Sequence, residues 1–238
     1  MTCLMIKALI FDVDGTLAET EEGHRAAFNA TFAAFGLTWF WDGDLYRVLH
    51  KVTGGKERMR HYADSIGVSR AQLPDDQIAE MHRRKNAYYS EHVRAGDCPL
   101  RPGVERLIRA SRAAGLRLAI CTTTSRVNVD ELIAATLGAN GLDLFEVVVA
   151  GEDAPVKKPA PDAYLDVLTA LALRPAECLA FEDSRNGLLS AQAAQIATVV
   201  TPSRYTAHES FDGALMVLPD LDAFDLRAAG AAMEAAGR

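Results

Sequence analysis

The sequence predicts an α/β fold, in which a parallel sheet carries helices on its faces and a helical segment is inserted after the first strand. Two patterns along the chain lead to this prediction. From Pro102 onward, short apolar runs alternate with helical stretches, which is typical of βαβ units. Between residues 20 and 95, apolar residues recur at helical spacing with no β-branched run among them. We therefore expect a Rossmann-like core from residues 1–18 and 97–238 and a helical insertion from residues 19–96.

Each predicted element follows from its local pattern. The first strand is the apolar run "ALIF" at residues 8–11. The insertion contains the helical stretches "EEGHRAAFNATFAAF" and "DDQIAEMHRRKNAYYSEHV", and "AGDCPLRPG", with its glycines and prolines, marks the return to the core. The later strands are predicted in "LRLAIC", "FEVVVAG", "CLAFED" and "IATVV", and the helices in "VERLIRASRAAG", "VDELIAATLG", "PDAYLDVLTALAL" and "NGLLSAQAAQ".

Composition narrows the class of partner. The 238 residues carry a formal net charge of -7, which disfavours the broad basic face that nucleic acid or an anionic membrane requires. No stretch reaches the roughly 18 apolar residues of a membrane span. The first residues, "MTCLMIKALIF", lack the apolar core of a signal peptide because Lys7 interrupts them. We expect a soluble, cytoplasmic monomer that acts on a small molecule.

The cysteines predict neither a zinc site nor a disulfide framework. Cys3, Cys98, Cys121 and Cys178 lie far apart, and no C-x-x-C spacing occurs. We expect reduced thiols, with Cys121 and Cys178 buried inside strands.

Polar side chains follow the predicted strands at their carboxyl ends, which meet at one edge of a parallel sheet. Two carboxylates about 4 Å apart repel by roughly 4 kcal/mol at an effective dielectric constant near 20, so acids gathered at this edge require a cation. The side chains that we expect to converge are Asp12, Asp14, Thr122, Thr123, Thr124, Lys158, Glu182 and Asp183, whereas Lys157 is expected to be a solvated surface charge.

The cation is predicted to be Mg²⁺, because the candidate ligands are carboxylates and no histidine or cysteine cluster suggests zinc. Once the metal neutralises the site, Asp12 can attack a phosphorus atom, and Asp14 can exchange a proton with the leaving oxygen and with water. Thr122 and Lys158 would balance the charge of the transferring phosphoryl group. The predicted metal ligands are Asp12, Asp14, Glu182 and Asp183.

These residues occur in four motifs that together resemble the haloacid dehalogenase-type phosphohydrolases. The motifs are "DVDGT", "ICTTTS", "KKPAPD" and "FEDSRNG", in this order from residue 12 to residue 187. The resemblance implies that Asp12 is the phosphorylated nucleophile, and that Asp14 is the general acid and base and offers Mg²⁺ its backbone carbonyl. Glu182 and Asp183 would complete the metal site. The insertion resembles the four-helix cap, type C1, of the subfamily that includes sugar-phosphate phosphatases and β-phosphoglucomutase.

Several further stretches are similar to the CbbY-type phosphatases of photosynthetic and carbon-fixing organisms. These stretches are "FDVDGTLAETEEGHRAAFN", "WFWD", "TGGKERM", "CTTTSRVNV" and "SRYTAHESF". Members of that family remove a phosphate from xylulose-1,5-bisphosphate, a misfire product that inhibits Rubisco. The resemblance implies a sugar bisphosphate substrate and a place beside the Calvin cycle.

Other functions stay open at the level of sequence. A phosphomutase would keep the phosphoryl group on Asp12 away from water, whereas the hydroxyl of Thr16 beside Asp14 fits the phosphatase pattern better. A phosphatase of another small metabolite, such as phosphoglycolate, would need the same core residues. A signalling receiver also combines acids, Thr and Lys around Mg²⁺, but its phosphoacceptor lies on the third strand, whereas Asp12 follows the first.

The helical insertion is the expected source of specificity, because the core contacts only the transferring phosphate. The "TGGKER" segment is predicted as a turn between two helices that offers Lys56 and Arg58 to a second phosphate. Alternatively, both are solvated charges. Glu21 would bind sugar hydroxyls, and His24 is either a substrate contact or an ordinary helix histidine. The predicted substrate contacts are Thr16, Glu21, His24, Lys56, Arg58, Thr123 and Thr124.

Overall fold

A parallel sheet forms the centre of the fold, as the alternating pattern predicts. The computed structural model describes residues 6–154 and 156–236, so Cys3 lies outside the described residues. The strands are β1 (Ala8–Phe11), β2 (Arg117–Cys121), β3 (Val147–Val149), β4 (Cys178–Glu182), β5 (Ala197–Val200) and β6 (Met216–Val217). Each pair is parallel, and the order across the sheet is β3-β2-β1-β4-β5-β6. The Rossmann-like α/β class is confirmed.

The α-helices up to Ala193 lie in the intervals that the sequence assigns to them. The first four after β1 are α1 (Glu21–Ala34), α2 (Gly43–Leu49), α3 (Gly55–Ser65) and α4 (Asp75–Arg94), which we call the helical insertion. The remaining helices are α5 (Val104–Ala113), α6 (Arg126–Leu137), α7 (Asp162–Leu171), α8 (Arg185–Ala193) and α9 (Leu226–Ala236), with short 3-10 helices at Gly141–Leu144 and Pro175–Glu177. In the described part of the chain, no helix combines the length and the apolar character that crossing a membrane requires.

The register of the sheet determines which residues meet at its carboxyl edge. Phe11, the last residue of β1, pairs with Ile120 of β2 and with Phe181 of β4. The next residue of each segment therefore stands at the same level, which aligns Asp12 with Cys121 and Glu182. All four residues of β1 are buried, so this edge is held by the centre of the core.

The sheet packs between two apolar clusters, one of which also includes residues of α1 and α4. Leu9 and Phe11 of β1 face one cluster, whereas Ala8 and Ile10 face the other, as expected for the two faces of a buried strand. The insertion has its own aromatic core, into which Tyr205 from the loop after β5 also packs. Phe28, Phe32, Trp41 and Tyr46 in this core are all 1% exposed or less.

Three features differ from the sequence expectation or were not predicted. β6 has two residues, too few to show a pattern, and α9 was also not predicted. The turn at "TGGKER" is shorter than expected, because Gly54 (φ 94°) precedes a helix that begins at Gly55. Lys56 and Arg58 therefore lie at the start of α3 rather than in a flexible turn. The prediction of free, buried thiols is confirmed for Cys98, Cys121 and Cys178.

Candidate active site

The carboxylate of Asp12 lies at the centre of the polar edge. Lys158 donates from Nζ to its Oδ1 at 2.9 Å, and Thr16 donates from Oγ1 to its Oδ2 at 3.2 Å. Lys158 also donates to the backbone oxygen of Cys121 at 2.8 Å, which holds the ammonium group in place. Burial raises the pKa of Asp12, although the charge of Lys158 opposes that shift. Both oxygens of this carboxylate are thus oriented by the protein.

Glu182 is held beside Asp12 through the same lysine. Its Oε1 accepts from Lys158 Nζ at 2.6 Å and from the Tyr164 hydroxyl at 2.5 Å. A Cβ at Gly187 would lie 1.8 Å from Glu182 Oε2, so only glycine leaves room for this side chain. Burial raises the pKa of Glu182 to about 7, because the charge of Lys158 compensates the desolvation only in part.

Asp183 completes a buried acidic cluster with Asp12 and Glu182, in which the ligand oxygens lie within 4.8 Å of one another. Thr206 donates from Oγ1 to the backbone oxygen of Asp183 at 2.7 Å and lies 3.3 Å from its Oδ2. Gly15 has a positive φ of 79°, and a Cβ there would lie 2.3 Å from Asp183 Oδ2. Burial and the charge of Asp12 raise the pKa of Asp183 well above its usual value.

The acidic cluster fits a divalent cation of the Mg²⁺ type. Its ligands are all oxygens, and three carboxylates against the one ammonium of Lys158 leave two uncompensated negative charges. The raised pKa values of Glu182 and Asp183 express the same deficit of positive charge. The side chain of Asp14 does not belong to this cluster, in keeping with the implied backbone ligand.

The carboxylate of Asp14 instead contacts the helical insertion. Thr20 donates to its Oδ1 at 2.6 Å, and His24 Nε2 lies 3.0 Å from the same oxygen. Lys85 Nζ lies 2.7 Å from His24 Nδ1, and an ammonium group can only donate. His24 therefore accepts at Nδ1, carries its proton on Nε2 and donates it to Asp14. The ring of Tyr89 stacks on His24 with centroids 3.9 Å apart and fixes its plane.

Burial and neighbouring groups shift the pKa values of these hydrogen-bonded residues. Burial would raise the pKa of Asp14, but the hydrogen bonds from His24 and Thr20 hold it below its usual value. Burial and the charge of Lys85 lower the pKa of His24, which keeps its imidazole neutral near pH 7. Burial also lowers the pKa of Lys85 to about 8 and that of His82, on the same helix, to about 3.

A cavity lies at this edge of the sheet. The three threonines after β2 line it, but they differ in their surroundings. Thr122 is buried, and its Oγ1 accepts from the backbone N–H of Thr124 at 3.3 Å. Thr124 is buried as well and accepts from Asn128 at 3.0 Å, whereas Thr123 is half-buried. The cavity, of about 110 Å³, also contacts Asp12, Asp14, Lys158, Glu182 and Asp183.

The insertion contributes a second polar group to this cavity. Glu21 accepts from the Tyr46 hydroxyl at 2.7 Å and lies 2.9 Å from His50 Nε2. Arg58 donates from Nη1 to the Tyr46 hydroxyl at 2.7 Å and from Nε to the backbone oxygen of Val52 at 3.2 Å. Burial opposes ionisation of Glu21, but the contact with His50 and the charge of Arg58 hold its pKa well below the usual value.

Most of the predicted substrate contacts line the cavity, but not all of them do. Glu21, His24, Arg58, Thr123 and Thr124 line the cavity, and Thr16 contacts Asp12 from within the loop. Lys56 is exposed and is not among the residues that line the cavity.

Sequence analysis missed residues that act through others. Thr20, Lys85, Tyr164 and Thr206 support the predicted carboxylates, but nothing in their spacing announces contacts that depend on the tertiary fold. Gly187 was quoted within a motif without a role. A glycine in the first turn of α8, shortly after Glu182, is the sequence signal for this close approach of backbone and side chain.

Comparison with known proteins agrees with this geometry. A family model described as haloacid dehalogenase-like hydrolase matches residues 6–195. The protein CbbY of Rhodobacter capsulatus is 54% identical over 218 residues, which cover 92% of this chain and 95% of that protein. The crystal structure of CbbY from Rhodobacter sphaeroides with phosphate has a TM-score of 0.87 at 45% identity, and the match covers 92% of this chain and 96% of that one.

A second crystal structure of the Rhodobacter sphaeroides protein, a mutant in complex with xylulose-(1,5)bisphosphate, has the same TM-score of 0.87 at 44% identity and covers 92% of this chain and 96% of that chain. Sheet, acidic edge and sequence together define a class of phosphate-transferring enzymes, and the chain belongs to the haloacid dehalogenase-like hydrolases. Within that family it is a CbbY-type phosphatase, a phosphoric monoester hydrolase.

Proposed function

We propose that this enzyme is an Mg²⁺-dependent phosphatase that removes one phosphate from xylulose-1,5-bisphosphate through an aspartyl-phosphate on Asp12. One observation carries the proposal. Asp12 lies within an acidic cluster with Lys158 on one oxygen and Thr16 on the other, whereas Asp14 is held apart by Thr20 and His24. Two neighbouring aspartates thus have different surroundings, which suits a nucleophile and a proton carrier.

The metal would be held by Asp12, Asp183, the backbone carbonyl of Asp14 and, through the same cluster, Glu182. When bound, Mg²⁺ supplies charge neutralisation, which allows a phosphate dianion to approach the carboxylates. Lys158 contacts both Asp12 and Glu182 and compensates part of their negative charge.

Each residue has a defined part in the proposed reaction. A carboxylate oxygen of Asp12 forms a bond to phosphorus while the ester P–O bond breaks, and Asp14 gives its proton to the leaving oxygen. An approaching phosphate dianion favours the protonated form of Asp14 that this step requires. In the second step Asp14 takes a proton from water, the water oxygen bonds to phosphorus, and Asp12 is released. Thr122 and Lys158 orient the phosphoryl oxygens.

The cavity supports a sugar bisphosphate as substrate. Arg58 of the insertion is 8% exposed and lines the cavity, and its Nη1 and Nε are anchored, which makes it a suitable contact for a second phosphate. Glu21 is the acid beside it and can accept hydrogen bonds from sugar hydroxyls. The Rhodobacter sphaeroides relative was solved with this bisphosphate, which supports the same substrate here.

A phosphate-release assay tests the proposal. With Mg²⁺ present, we expect kcat/KM for xylulose-1,5-bisphosphate to exceed that for phosphoglycolate and for β-glucose 1-phosphate at least tenfold. Asp12→Asn should lose at least a thousandfold in kcat while its circular dichroism stays unchanged, because the amide is not a nucleophile. A higher kcat/KM for phosphoglycolate than for the bisphosphate would show that phosphoglycolate is the substrate. Conversion of β-glucose 1-phosphate to glucose 6-phosphate without release of phosphate would instead show a mutase.

A further inference from the structure

The guanidinium of Arg101 is buried at the point where the chain returns from the helical insertion to the core. Its side chain is 8% exposed, and its nearest carboxylate, that of Glu19, lies 3.5 Å from Nε. The rest of the group faces backbone oxygens. Nη1 donates to Gly15 and, at 2.6 Å, to Thr201, and Nη2 donates to Pro202 at 3.0 Å and to Pro219 at 3.1 Å.

The first of these contacts holds the loop that carries the two catalytic aspartates. Gly15 directly follows Asp14, and its carbonyl oxygen is the acceptor for Arg101. The backbone N–H of Arg101 also donates to the oxygen of Leu17 at 2.8 Å, so the residue holds this loop at two points. The Gly15 backbone also lies directly against the Asp183 side chain, because no Cβ fits between them. The orientation of this backbone therefore affects the position of Asp183.

The contacts to Thr201 and Pro202 hold the loop that follows β5, which lies next to Gly15. This loop continues to Ser203 and Thr206, whose hydroxyls lie 3.0 Å apart. Thr206 is the residue that donates to Asp183. One guanidinium therefore joins the segment behind Asp12 and Asp14 to the segment that orients Asp183, although it is not itself a member of the cluster.

We infer that Arg101 is a positioning residue of the metal site and that it sets the affinity for Mg²⁺ by holding these two loops at a fixed separation. The inference rests on the proposed Mg²⁺ dependence. The planar guanidinium spreads its five N–H donors over a fixed fork, which matches acceptors on separate segments. A lysine carries its donors on one nitrogen and cannot reach all of these oxygens at once.

The chain offers a matched control in Arg106. This arginine also donates to backbone oxygens, those of Leu221 at 2.7 Å and Asp222 at 2.9 Å, but these belong to the segment before α9 and not to either loop of the cluster. Arg101→Lys and Arg106→Lys therefore make the same chemical change in the same part of the chain.

Isothermal titration of the metal-free protein with Mg²⁺, without substrate, measures the effect directly. We expect Arg101→Lys to raise the Kd for Mg²⁺ at least tenfold and Arg106→Lys to change it less than twofold. Arg101→Gln, which keeps a planar amide donor but loses the charge and the fork, should also raise it at least tenfold. For a variant of low stability, the rise of Tm with Mg²⁺ concentration gives the same constant by linkage.

The outcomes distinguish the proposed Mg²⁺-dependent function from the positioning role of Arg101. If the wild-type protein binds no Mg²⁺, the proposed metal-dependent function fails. If wild type binds Mg²⁺ and a folded Arg101 variant binds it within twofold, the positioning role is overturned while the proposed function stands. If neither Arg101 variant folds, the wild-type protein decides: the guanidinium N–H resonances of Arg101 should shift as Mg²⁺ is added and those of Arg106 should not. Unchanged Arg101 resonances would also overturn the inference.

Discussion

His24 on the helical insertion donates a hydrogen bond from Nε2 to Oδ1 of Asp14 at the edge of the sheet, over a distance of 3.0 Å. The other ring nitrogen accepts from Lys85 of α4, so two helices of the insertion act on one carboxylate of the core. The orientation of Asp14 thus depends on contacts with the insertion. The proposed proton carrier and two helices of the insertion are parts of one hydrogen-bonded network.

Lys85→Met tests this chain. The methionine keeps the apolar stem but removes the donor that holds the His24 tautomer, so Asp14 loses a defined partner. We expect kcat to fall about 10- to 100-fold, as for a displaced catalytic group, with KM changed less than threefold. Steady-state kinetics on the bisphosphate measure both. Arg84→Met, which changes the exposed neighbour in α4, serves as the control and should leave both constants near those of wild type.

Asp14→Ala should affect substrates according to their leaving groups. A sugar alkoxide needs a proton as it leaves, whereas p-nitrophenolate does not. We expect the loss of kcat/KM on the bisphosphate to exceed the loss on p-nitrophenyl phosphate at least tenfold. Equal losses on both esters would remove Asp14 from the role of the acid.

Arg58 and Lys56 should differ in their importance for the second phosphate. Arg58 is buried at the cavity, and loss of a hydrogen bond to a charged group costs roughly 1.5 to 3 kcal/mol, so Arg58→Ala should lower kcat/KM for the bisphosphate at least tenfold. Lys56 is exposed, and Lys56→Ala should have the smaller effect, since exposed ion pairs contribute little. Hydrolysis of p-nitrophenyl phosphate, which has no second phosphate, should stay within about twofold in both variants. Parallel losses on both substrates would show that neither residue recognises the second phosphate.

His82 should make the stability of the fold depend on pH. Burial lowers its pKa to about 3 from the usual 6.5, so the unfolded chain binds the proton more tightly. The stability that this group contributes is complete above pH 6.5 and is lost as the pH falls toward 3. Urea unfolding at pH 7 and pH 5 should show wild type losing roughly 2 kcal/mol more than His82→Asn. An equal loss in both proteins would contradict the lowered pKa.

Much of the fold could be predicted because local patterns of apolar residues indicate its strands and helices. The strand "ALIF" is a continuous apolar run, the helices around Phe28 and Met81 show helical spacing, and each lies where the pattern places it. β6 escaped prediction because its two residues are too few to form a pattern, and their pairing with Val199 and Val200 decides their state. The start of α3 was not predicted, because it depends on the positive φ of Gly54, which tertiary contacts determine as much as the local sequence does.

For the candidate site, residue types and their places after predicted strands were enough to predict the candidate reacting groups. Asp12, Asp14, Lys158 and Asp183 follow strands of a parallel sheet, and the topology of such a sheet brings strand ends together whatever the details of packing. How each group is held became visible only in the folded structure. Lys85 is 61 residues from His24 and Arg101 is 86 residues from Gly15, and no spacing rule connects positions that distant. A buried carboxylate or carbonyl takes whichever donor the folded chain brings within reach, so these partners become visible only when the helices and loops have packed.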